Sequence, residues 1–410
     1  MTDISEARRH DVVLLGATGF TGGLTAEYLA RHAPADLRWA LAGRNREKLE
    51  TVRERLTGID ARLADLPLLT ADTGDPVSLR TLARSTRVLV TTVGPYLRYG
   101  DGPVAACAEA GTDYLDLTGE PEFVDRSFLR HHERAMSTGA RLVHCCGFDS
   151  IPHDLGVLFT VNRLPTGVPL RVRGYLAVSF APSAGTVHSA VGMLGRRATA
   201  AAGAAERRRV EEHRPAGEGP ADRRVRGERP RPRRLRRGGP EAADGWALPM
   251  PTVDPQVVLR SARALERYGP DFSYAHHLAV KRLPKAVGLA GAAAGLAALS
   301  GPRITREWLL TRTTPGEGPS PEQRARGWFR VRFVGEGGGR RVVTEVAGRE
   351  PGYDETSKML AEAAMCLALD EGLPKSSGQV TTAAAMGGAL IDRLTAAGIR
   401  FAVVEEGPAD

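Results

Sequence analysis

The sequence VVLLGATGFTG, from Val12 to Gly22, indicates the fold of the N-terminal part of the chain. Val12–Leu15 is an unbroken apolar run, as expected of a strand buried on both faces of a parallel sheet. Three glycines follow with the spacing GxxGxxG. Gly16 permits a tight turn, Gly19 lets the backbone approach a pyrophosphate, and Gly22 lets a helix pack closely on the strand. The sequence therefore predicts a Rossmann-type dinucleotide site, with an ordinary strand-to-helix turn as the alternative.

The residues that follow indicate which dinucleotide binds. The helix predicted at Phe20–His32 would direct its N-terminal amides at the phosphates. The second strand, Trp39–Ala42, leads into Gly43 and Arg44, where NAD sites usually carry an Asp or Glu. Arg44 could bind a 2′-phosphate bidentately and stack on the adenine, whereas the alternative is a solvated arginine at a helix start. The predicted cofactor is therefore NADP(H).

Further residues at the carboxyl ends of the predicted strands complete the cofactor site. Asp72 follows the third strand, where many Rossmann proteins contact the adenine, although it could instead cap the next helix. Gly94 and Pro95 follow the fourth strand and would lie along the nicotinamide ribose. The predicted cofactor-binding residues are Gly16, Ala17, Thr18, Gly19, Phe20, Thr21, Gly22, Arg44, Asp72, Gly94 and Pro95.

The order of strands and helices predicts two domains. Strands alternate with helices as far as a sixth strand at Arg141–Cys146, which is typical of a doubly wound parallel sheet. Beyond about residue 155, stretches such as Leu170–Phe180 and Trp328–Val334 alternate at period two and indicate an antiparallel or mixed sheet. The fold is predicted to be α/β, an N-terminal Rossmann-type doubly wound parallel sheet with a second α+β domain. The predicted boundaries are 1–155 for the NADP-binding domain, 156–375 for a substrate or dimerisation domain, and 376–410 for a C-terminal helix packing back on the first domain.

The net charge of +8 comes from one segment. Between Arg207 and Arg237 there are 13 arginines and 5 acidic residues, and the rest of the chain is electrically balanced. We expect 207–245 to be disordered, because it is rich in Pro and Gly and has few apolar residues. It could contact anionic lipid headgroups, an acidic protein or nucleic acid, or be a solvated insertion. Because the basicity does not belong to the fold, no specific nucleic-acid partner is predicted.

Other features bear on the compartment and on membranes. Four cysteines without a CxxC pattern make a disulfide framework or zinc site unexpected and fit a reducing cytoplasm, and no metal site is predicted. The polar N-terminus lacks the apolar core of a signal peptide. Ala286–Ser300, AVGLAGAAAGLAALS, is shorter than the ~18–20 apolar residues that span a bilayer. A packed helix is expected there, and a shallow contact at the plasma membrane is the alternative.

Three polar clusters follow predicted strands and are candidates for the chemistry. They lie at Thr92–Tyr96, Asp116–Glu120 and Gly147–Asp154. Reduction of a carbon centre needs a hydride from the cofactor and a proton from an acid. The candidate catalytic acids are Tyr96, Asp149 and His153, and the search would extend to Glu120 if Tyr96 and Asp149 failed. A structural role is the alternative for each, since Asp149 and Ser150 could cap the following helix.

Several motifs together resemble the saccharopine dehydrogenase-like oxidoreductases. They are the glycine loop Gly16–Gly22, the sequences Ala42-Gly43-Arg44 and Val93-Gly94-Pro95-Tyr96, the stretch Tyr114–Glu120, and above all Gly147-Phe148-Asp149-Ser150-Ile151-Pro152. Within that family, the chain is most similar to the trans-acting enoyl reductase branch, also at Ser183–Thr186, Pro351–Tyr353 and Thr381–Leu390. Ser-Ala-Gly-Thr stands where the family tends to have Ser-Gly-Gly-Thr, and the arginine-rich segment replaces a more ordinary family region.

The resemblance implies an NADPH-dependent oxidoreductase, a trans-acting enoyl reductase for polyketide-derived lipids or glycolipids. Its substrate would be a lipid-like or acyl-carrier-bound enoyl group, and its partner a polyketide synthase. Two alternatives stay open: imine or amino-acid oxidoreduction as in the wider family, and a non-catalytic NADP-binding scaffold. A homodimer and a peripheral membrane contact are also compatible with the resemblance.

Overall fold

The structure, a computed structural model, describes residues 8–179, 196–212, 223–235, 245–250, 252–300, 305 and 318–409. The chain forms two compact units. The first comprises Met1–Phe148, Gly316–Gly318 and Tyr353–Arg393, and the second comprises Asp149–Pro315, Pro319–Gly352 and Leu394–Asp410.

The first unit is built on a parallel sheet of seven strands, which confirms the predicted Rossmann-type fold. The strands are β1 (His10–Leu15), β2 (Trp39–Gly43), β3 (Leu68–Thr70), β4 (Thr86–Thr91), β5 (Asp113–Asp116), β6 (Arg141–Val143) and β14 (Gly378–Val380). The strand order is β14-β6-β5-β4-β1-β2-β3, so the order reverses beside β1, as in a doubly wound sheet.

Helices connect and cover these strands. β1 is fully apolar from Val12 to Leu15 because it is buried between β2 and β4. The helices of this part of the chain are α1 (Phe20–His32), α2 (Arg46–Thr57), α3 (Pro76–Arg84), α4 (Tyr96–Tyr99), α5 (Asp101–Ala110), α6 (Pro121–Thr138), α12 (Asp354–Leu369), α13 (Thr382–Ala385) and α14 (Gly387–Ala396). A short 3-10 helix at Ala61–Asp65 precedes β3.

The second unit is built on a mixed sheet of eight strands. The strands are β7 (Leu170–Ser179), β8 (Arg224–Gly227), β9 (Arg233–Leu235), β10 (Gly245–Pro249), β11 (Asp271–Val280), β12 (Trp328–Gly337), β13 (Arg340–Gly348) and β15 (Arg400–Pro408). Their order is β15-β13-β12-β7-β11-β10-β9, and β8 pairs with β11. The β7 and β8 pairings with β11 are parallel and the others are antiparallel.

One buried helix lies against the middle of this mixed sheet. It is α7 (Ile151–Val161), nearly all of whose residues are buried. A Cβ on Gly156 would lie 2.3 Å from the Phe333 ring, so glycine is what allows helix and sheet to approach this closely. The hydroxyls of Thr160 and Thr344 are hydrogen-bonded at 2.6 Å. The other helices are α8 (Arg197–Glu212), α9 (Asp254–Ala264), α10 (Leu283–Ser300) and α11 (Pro321–Ala325).

The observed boundaries differ from the predicted ones. The N-terminal part of the first unit ends at Phe148 rather than at residue 155. The first unit also includes Tyr353–Arg393, which was predicted to be divided between the 156–375 and 376–410 segments. The segment 376–410 supplies strands β14 and β15 as well as helices. β6 ends at Val143 rather than Cys146, because Cys145 has a φ of 64°, which a strand cannot accommodate.

The expectation of disorder for 207–245 is wrong for the described residues of that segment. The end of α8 and strands β8 and β9 lie within it. Pairing with β10 and β11 holds these strands, since hydrogen bonds within a sheet need no apolar side chains. Residues 213–222 and 236–244 lie outside the described part of the chain.

Candidate functional site

The glycine loop after β1 has the geometry of a dinucleotide cradle. Gly16 has a φ of 95°, which favours glycine, and its amide donates to the Ala42 carbonyl at 2.9 Å. A Cβ on Gly22 would lie 2.2 Å from the Gly16 carbonyl oxygen. The loop and the first turn of α1 are therefore packed backbone against backbone, and only glycine fits at both positions.

The start of α1 is open to an anion. Thr18 and Gly19 are exposed, Ala17 is buried beneath them, and the helix begins at Phe20. No side chain caps the helix, and its first turn, which includes Thr21, carries no acidic residue. Helix amides without a capping carboxylate favour a phosphate group by hydrogen bonding and by the helix dipole. The loop therefore fits the pyrophosphate of NADP(H).

Helix α1 is supported from behind by α12 of the same unit. The Tyr28 hydroxyl donates to Glu362 Oε1 at 2.7 Å, and the Ser357 hydroxyl donates to the Thr21 carbonyl at 3.4 Å. The Phe20 and Tyr353 rings meet edge to face, with centroids 4.8 Å apart. A segment more than three hundred residues away in sequence thus holds the start of α1 in place.

Arg44 and Asp72 lie after neighbouring parallel strands, at the edge of the sheet where β1 also ends. Arg44 follows β2, is exposed, and forms no hydrogen bond or ion pair with the described residues. Its guanidinium is therefore available to a 2′-phosphate. Asp72 accepts a hydrogen bond from the Gly74 amide at 2.8 Å. Asp72 does not cap the next helix, because the N-cap of α3 is Asp75, whose carboxylate accepts from the Val77 and Ser78 amides.

The loop after β4 is held by hydrogen bonds of the Tyr96 hydroxyl group. Gly94 and Pro95 are exposed and joined by a cis peptide bond. The Tyr96 hydroxyl donates to the Thr91 carbonyl at 3.1 Å and accepts from the Leu117 amide at 3.2 Å. Burial raises the pKa of Tyr96 well above its usual value. These contacts give Tyr96 a structural role and do not support its assignment as a proton donor.

Glu120 is also used within the first unit. Its two carboxylate oxygens accept from the backbone amides of Tyr96 and Leu97, at 2.9 and 3.1 Å. The carboxylate therefore holds the N-terminus of α4. This role accounts for Glu120, which the sequence had offered as a further candidate acid.

A buried Ser-His-Asp arrangement joins β5 to the segment after β6. His144 Nδ1 lies 2.6 Å from Asp116 Oδ2, and His144 Nε2 lies 2.9 Å from the Ser127 hydroxyl. Asp116 also accepts from the Tyr114 hydroxyl and from the Thr118 and Cys145 amides. Asp116 and Ser127 have no solvent exposure and His144 has 4%. Ser127 therefore cannot reach a substrate, and the network holds His144 and Cys145 against the end of β5.

The sequence did not single out His144 or Ser127 as a pair, because nothing in their spacing signals a contact. The available signal was the polar His144 at the end of an otherwise apolar strand. A buried histidine needs partners for both ring nitrogens. Both are found in neighbouring elements.

The second unit begins with a polar cluster around α7. Asp149 has an exposed side chain and forms no hydrogen bond with the described residues. His153 Nδ1 lies 3.1 Å from Asp254 Oδ1, and His276 Nε2 lies 3.8 Å from Asp254 Oδ2. The Thr252 hydroxyl contacts both Asp254 and His276. His153, Asp254 and His276 are each at most 2% exposed, so His153 is part of a buried network.

This cluster changes the acidity of its members. Loss of hydration and the nearby Asp254 carboxylate raise the pKa of Asp149 to about 6, although His153 opposes the change. Burial alone would raise the pKa of Asp254, but His153 and His276 lower it below its usual value. Burial and the neighbouring His153 lower the pKa of His276 to about 3, so its imidazole is neutral near pH 7. Asp149 is thus a carboxyl group that exchanges its proton at about pH 6.

Neither Asp149 nor Ser150 caps α7. Ser150 occupies the N-cap position of α7, but its side chain forms no capping hydrogen bond with the helix. The buried hydroxyls of Ser150, Tyr268 and Tyr274 have no hydrogen-bond partner among the described residues. Burying such a group costs free energy, and positions of this kind often serve binding or catalysis. Because the N-cap of α7 is Ser150 and no side chain caps the helix, the capping alternative for Asp149 is wrong.

Two kinds of feature are absent from the described ranges. No helix there is long and apolar enough to cross a bilayer. Within the same ranges, no three His, Cys, Asp or Glu side chains come together as a metal site requires.

Comparison with known proteins agrees with the glycine loop in indicating a dinucleotide-binding domain. Residues 12–143 match the family described as Saccharopine dehydrogenase NADP binding domain. NADP(H) is therefore the cofactor, and the exposed Arg44 fits it. In fold, the chain is similar to saccharopine dehydrogenase (L-Glu forming) from Saccharomyces cerevisiae, with a TM-score of 0.56, 10% identity, and coverage of 97% of this chain and 100% of the other.

Full-length relatives are much closer in sequence. A trans-acting enoyl reductase of Mycobacterium tuberculosis is 38% identical to this chain, and the alignment covers 96% of this chain and 97% of the relative. The trans-acting enoyl reductase of Mycobacterium ulcerans is 36% identical, with 96% and 98% coverage. A second Mycobacterium tuberculosis protein, also described as an enoyl reductase acting in trans, is 41% identical over 96% of this chain and 97% of its own.

Proposed function

Because the chain belongs to the trans-acting enoyl reductases, a branch of the saccharopine dehydrogenase-like oxidoreductases, we propose that it reduces the carbon–carbon double bond of an enoyl thioester. The chain is an NADPH-dependent oxidoreductase. The observation that carries the finer proposal is the similarity to these reductases over 96% of the chain, which includes both units.

The proposed reaction adds two hydrogens across the double bond. NADPH, when bound, supplies a hydride to the β-carbon of the enoyl thioester. A proton must then reach the α-carbon, and we assign its donation to the Asp149 carboxyl group. A donor with a pKa near the working pH is the most effective general acid. Asp149 is exposed, has a pKa of about 6, and is the residue directly after Phe148 at the end of the nucleotide-binding unit.

The proposed roles of the neighbouring groups follow from their positions. The buried Asp254 keeps negative charge close to Asp149 and so favours the protonated carboxyl group. His153 lies against Asp254 and is proposed to position it rather than to touch substrate. Arg44 and the glycine loop Gly16–Gly22 bind the cofactor, together with Asp72, Gly94 and Pro95.

The substrate and its carrier belong to the same proposal. The relatives are named as acting in trans, which supports an acyl chain held on a separate protein, a polyketide synthase, during synthesis of a lipid or glycolipid. The four cysteines all lie in the described part of the chain, are buried and form no disulfide, which fits a reducing compartment, so we propose a cytoplasmic protein.

The test is reduction of a defined substrate by the purified full-length chain. An α,β-unsaturated acyl thioester, on an acyl carrier protein and on a small thiol, is incubated with NADPH. Nicotinamide absorbance and product mass are followed. We expect loss of NADPH matched by a product with two more hydrogens. NADPH oxidation with an imine or keto acid instead would favour amino-acid chemistry, and tight NADPH binding without turnover of any substrate would favour a scaffold.

A further inference from the structure

Helix α10 exposes an apolar surface that the reductase chemistry does not use. Leu283, Val287 and Leu299 are 48%, 63% and 46% exposed, three of the few large apolar side chains with such exposure in the described chain. At about 100° per residue, the exposed positions of the helix fall within one half of its circumference. They are Leu283, Pro284, Val287, Gly288, Gly291, Ala292, Gly295, Ala298 and Leu299.

None of these nine described positions carries a charged or hydrogen-bonding side chain. A Cβ on Gly288, Gly291 or Gly295 would meet no atom within 4 Å, so the face is open as well as apolar. Eighteen helical residues extend about 27 Å. Contiguous apolar surfaces of this kind mark contact sites with proteins or membranes rather than ordinary solvated surface.

Cationic side chains surround the start of this helix. Lys281 and Arg282 precede it, are exposed, and form no ion pair with the described residues. Arg234 of β9 is also exposed and lies in register with Trp246 of β10, which pairs with Val280, the residue before Lys281. We call Lys281, Arg282 and Arg234 the basic cluster. Three exposed cations are therefore collected where α10 begins.

The sequence around α10 has no compensating negative charge. No Asp or Glu occurs between Asp271 and Glu307, whereas Lys281, Arg282 and Lys285 precede or open the apolar stretch and Arg303 and Arg306 follow it. An apolar helix face flanked by cations matches a bilayer surface, where acyl chains receive the apolar residues and anionic headgroups attract the cations. The helix would lie in the interface and not cross it.

We propose that the exposed half of α10, together with the basic cluster, is a docking surface for the anionic face of a lipid bilayer. Charge complementarity favours the bilayer over a second copy docked symmetrically through the same face, because that copy would place its own basic cluster, and no carboxylate of the stretch between Asp271 and Glu307, against the cations. The proposal does not depend on the enoyl reductase chemistry.

Vesicle binding tests the proposal with the full-length protein. Co-sedimentation is measured with vesicles of phosphatidylcholine alone and of phosphatidylcholine mixed with phosphatidylglycerol. We expect the wild type to bind the anionic vesicles at least about tenfold more tightly, and to release them as salt screens the headgroups. Leu283→Glu with Val287→Glu should weaken binding about tenfold or more. Lys281→Glu with Arg282→Glu should remove the preference for anionic lipid.

Val77→Glu is the matched control, since Val77 is 64% exposed on α3 of the other unit. It should bind vesicles as the wild type does, and all variants should keep the wild-type melting temperature and NADPH affinity. Equal binding of the wild type to both vesicles, or undiminished binding of the Leu283→Glu, Val287→Glu variant, would overturn the proposal. So would a change of that variant from dimer to monomer by light scattering with vesicle binding intact, which would assign the face to a second copy.

Discussion

At Asp149, the carboxyl group has a pKa of about 6 because neighbouring atoms reduce its hydration and Asp254 is close by. A general acid must carry its proton, and a group with this pKa carries it below pH 6 and loses it above. We therefore expect turnover to be greatest below about pH 6 and to decline as pH rises through that value. Initial rates measured across this range check the prediction.

Replacement of Asp149 separates catalysis from stability. Asp149→Asn should lower turnover by roughly 10²-fold or more while NADPH affinity is kept.

The same residue gives a prediction for stability. Because its pKa is raised in the folded state, the folded protein loses stability relative to the unfolded chain as Asp149 ionises at higher pH. The variant should therefore unfold at a higher temperature than the wild type above pH 6, and with little difference well below the carboxyl's usual pKa. Asp392→Asn, at an exposed acid elsewhere, is the control; normal turnover in Asp149→Asn would exclude Asp149 as the donor.

Arg44 gives the second prediction at the scale of a residue. Its guanidinium is exposed and has no partner in the described structure, so its binding energy is available for a 2′-phosphate. NADPH should bind at least about tenfold more tightly than NADH, which corresponds to about 1.4 kcal/mol. Arg44→Ala should remove most of this preference in calorimetric titrations, whereas Arg53→Ala, in the following helix α2, should retain it. Equal affinity of the wild type for both cofactors would contradict the assignment.

At the scale of an element, two adjacent glycines of α1 make a controlled pair. A Cβ on Gly22 would lie 2.2 Å from the Gly16 carbonyl oxygen, which the sheet holds in place. A Cβ on Gly23 would meet the Arg55 guanidinium at 2.9 Å, and that flexible side chain can move. Gly22→Ala should lose about 1–3 kcal/mol of stability and weaken NADPH binding, while Gly23→Ala should do neither. Chemical denaturation and titration of both variants provide the comparison.

The loop between β4 and α4 depends on the Tyr96 hydroxyl, which bonds to Thr91 and Leu117. Tyr96→Phe removes the hydrogen-bond partner of the buried Thr91 carbonyl and of the half-buried Leu117 amide, so a loss of about 1–3 kcal/mol in unfolding free energy is expected, with turnover largely kept. Tyr99→Phe, three residues on, removes a hydroxyl that has no hydrogen bond in the described structure and should be neutral. A large loss of turnover without loss of stability in Tyr96→Phe would restore Tyr96 as the proton donor.

At the scale of the whole molecule, the arginine-rich segment contributes to the sheet of the second unit. Deleting residues 223–235 removes β8 and β9 and exposes the edges of β10 and β11. We expect little folded protein from this deletion, because unpaired buried strand edges lose their hydrogen bonds. Replacing the exposed Arg224, Arg229 and Arg231 by Gln should keep the melting temperature, because the strands stay and only charge is lost. A deletion variant that folds normally would show these strands to be dispensable.

The predictable part of the molecule was local. The buried β1, the positive φ at Gly16 and the absence of an acid at Arg44 are encoded within a few neighbouring residues, and they gave the Rossmann fold and NADP(H). The GFDSIP motif located Asp149 but not its chemistry. The pKa of Asp149 depends on the loss of hydration in the folded chain and on Asp254, which lies more than a hundred residues away.

The sequence by itself determined the nucleotide loop, its cofactor and the alternation of strands and helices, because hydrophobic periodicity and backbone conformation act over short distances. Only the tertiary structure decided that Gly378–Val380 completes the first sheet, that Asp116 and Ser127 flank His144, and that β8 and β9 are ordered. Such contacts join segments that are far apart in the sequence, and no regular spacing of residues indicates which segments will meet. They form because buried polar groups and strand edges require hydrogen-bond partners, and folding alone selects which distant residue supplies each one.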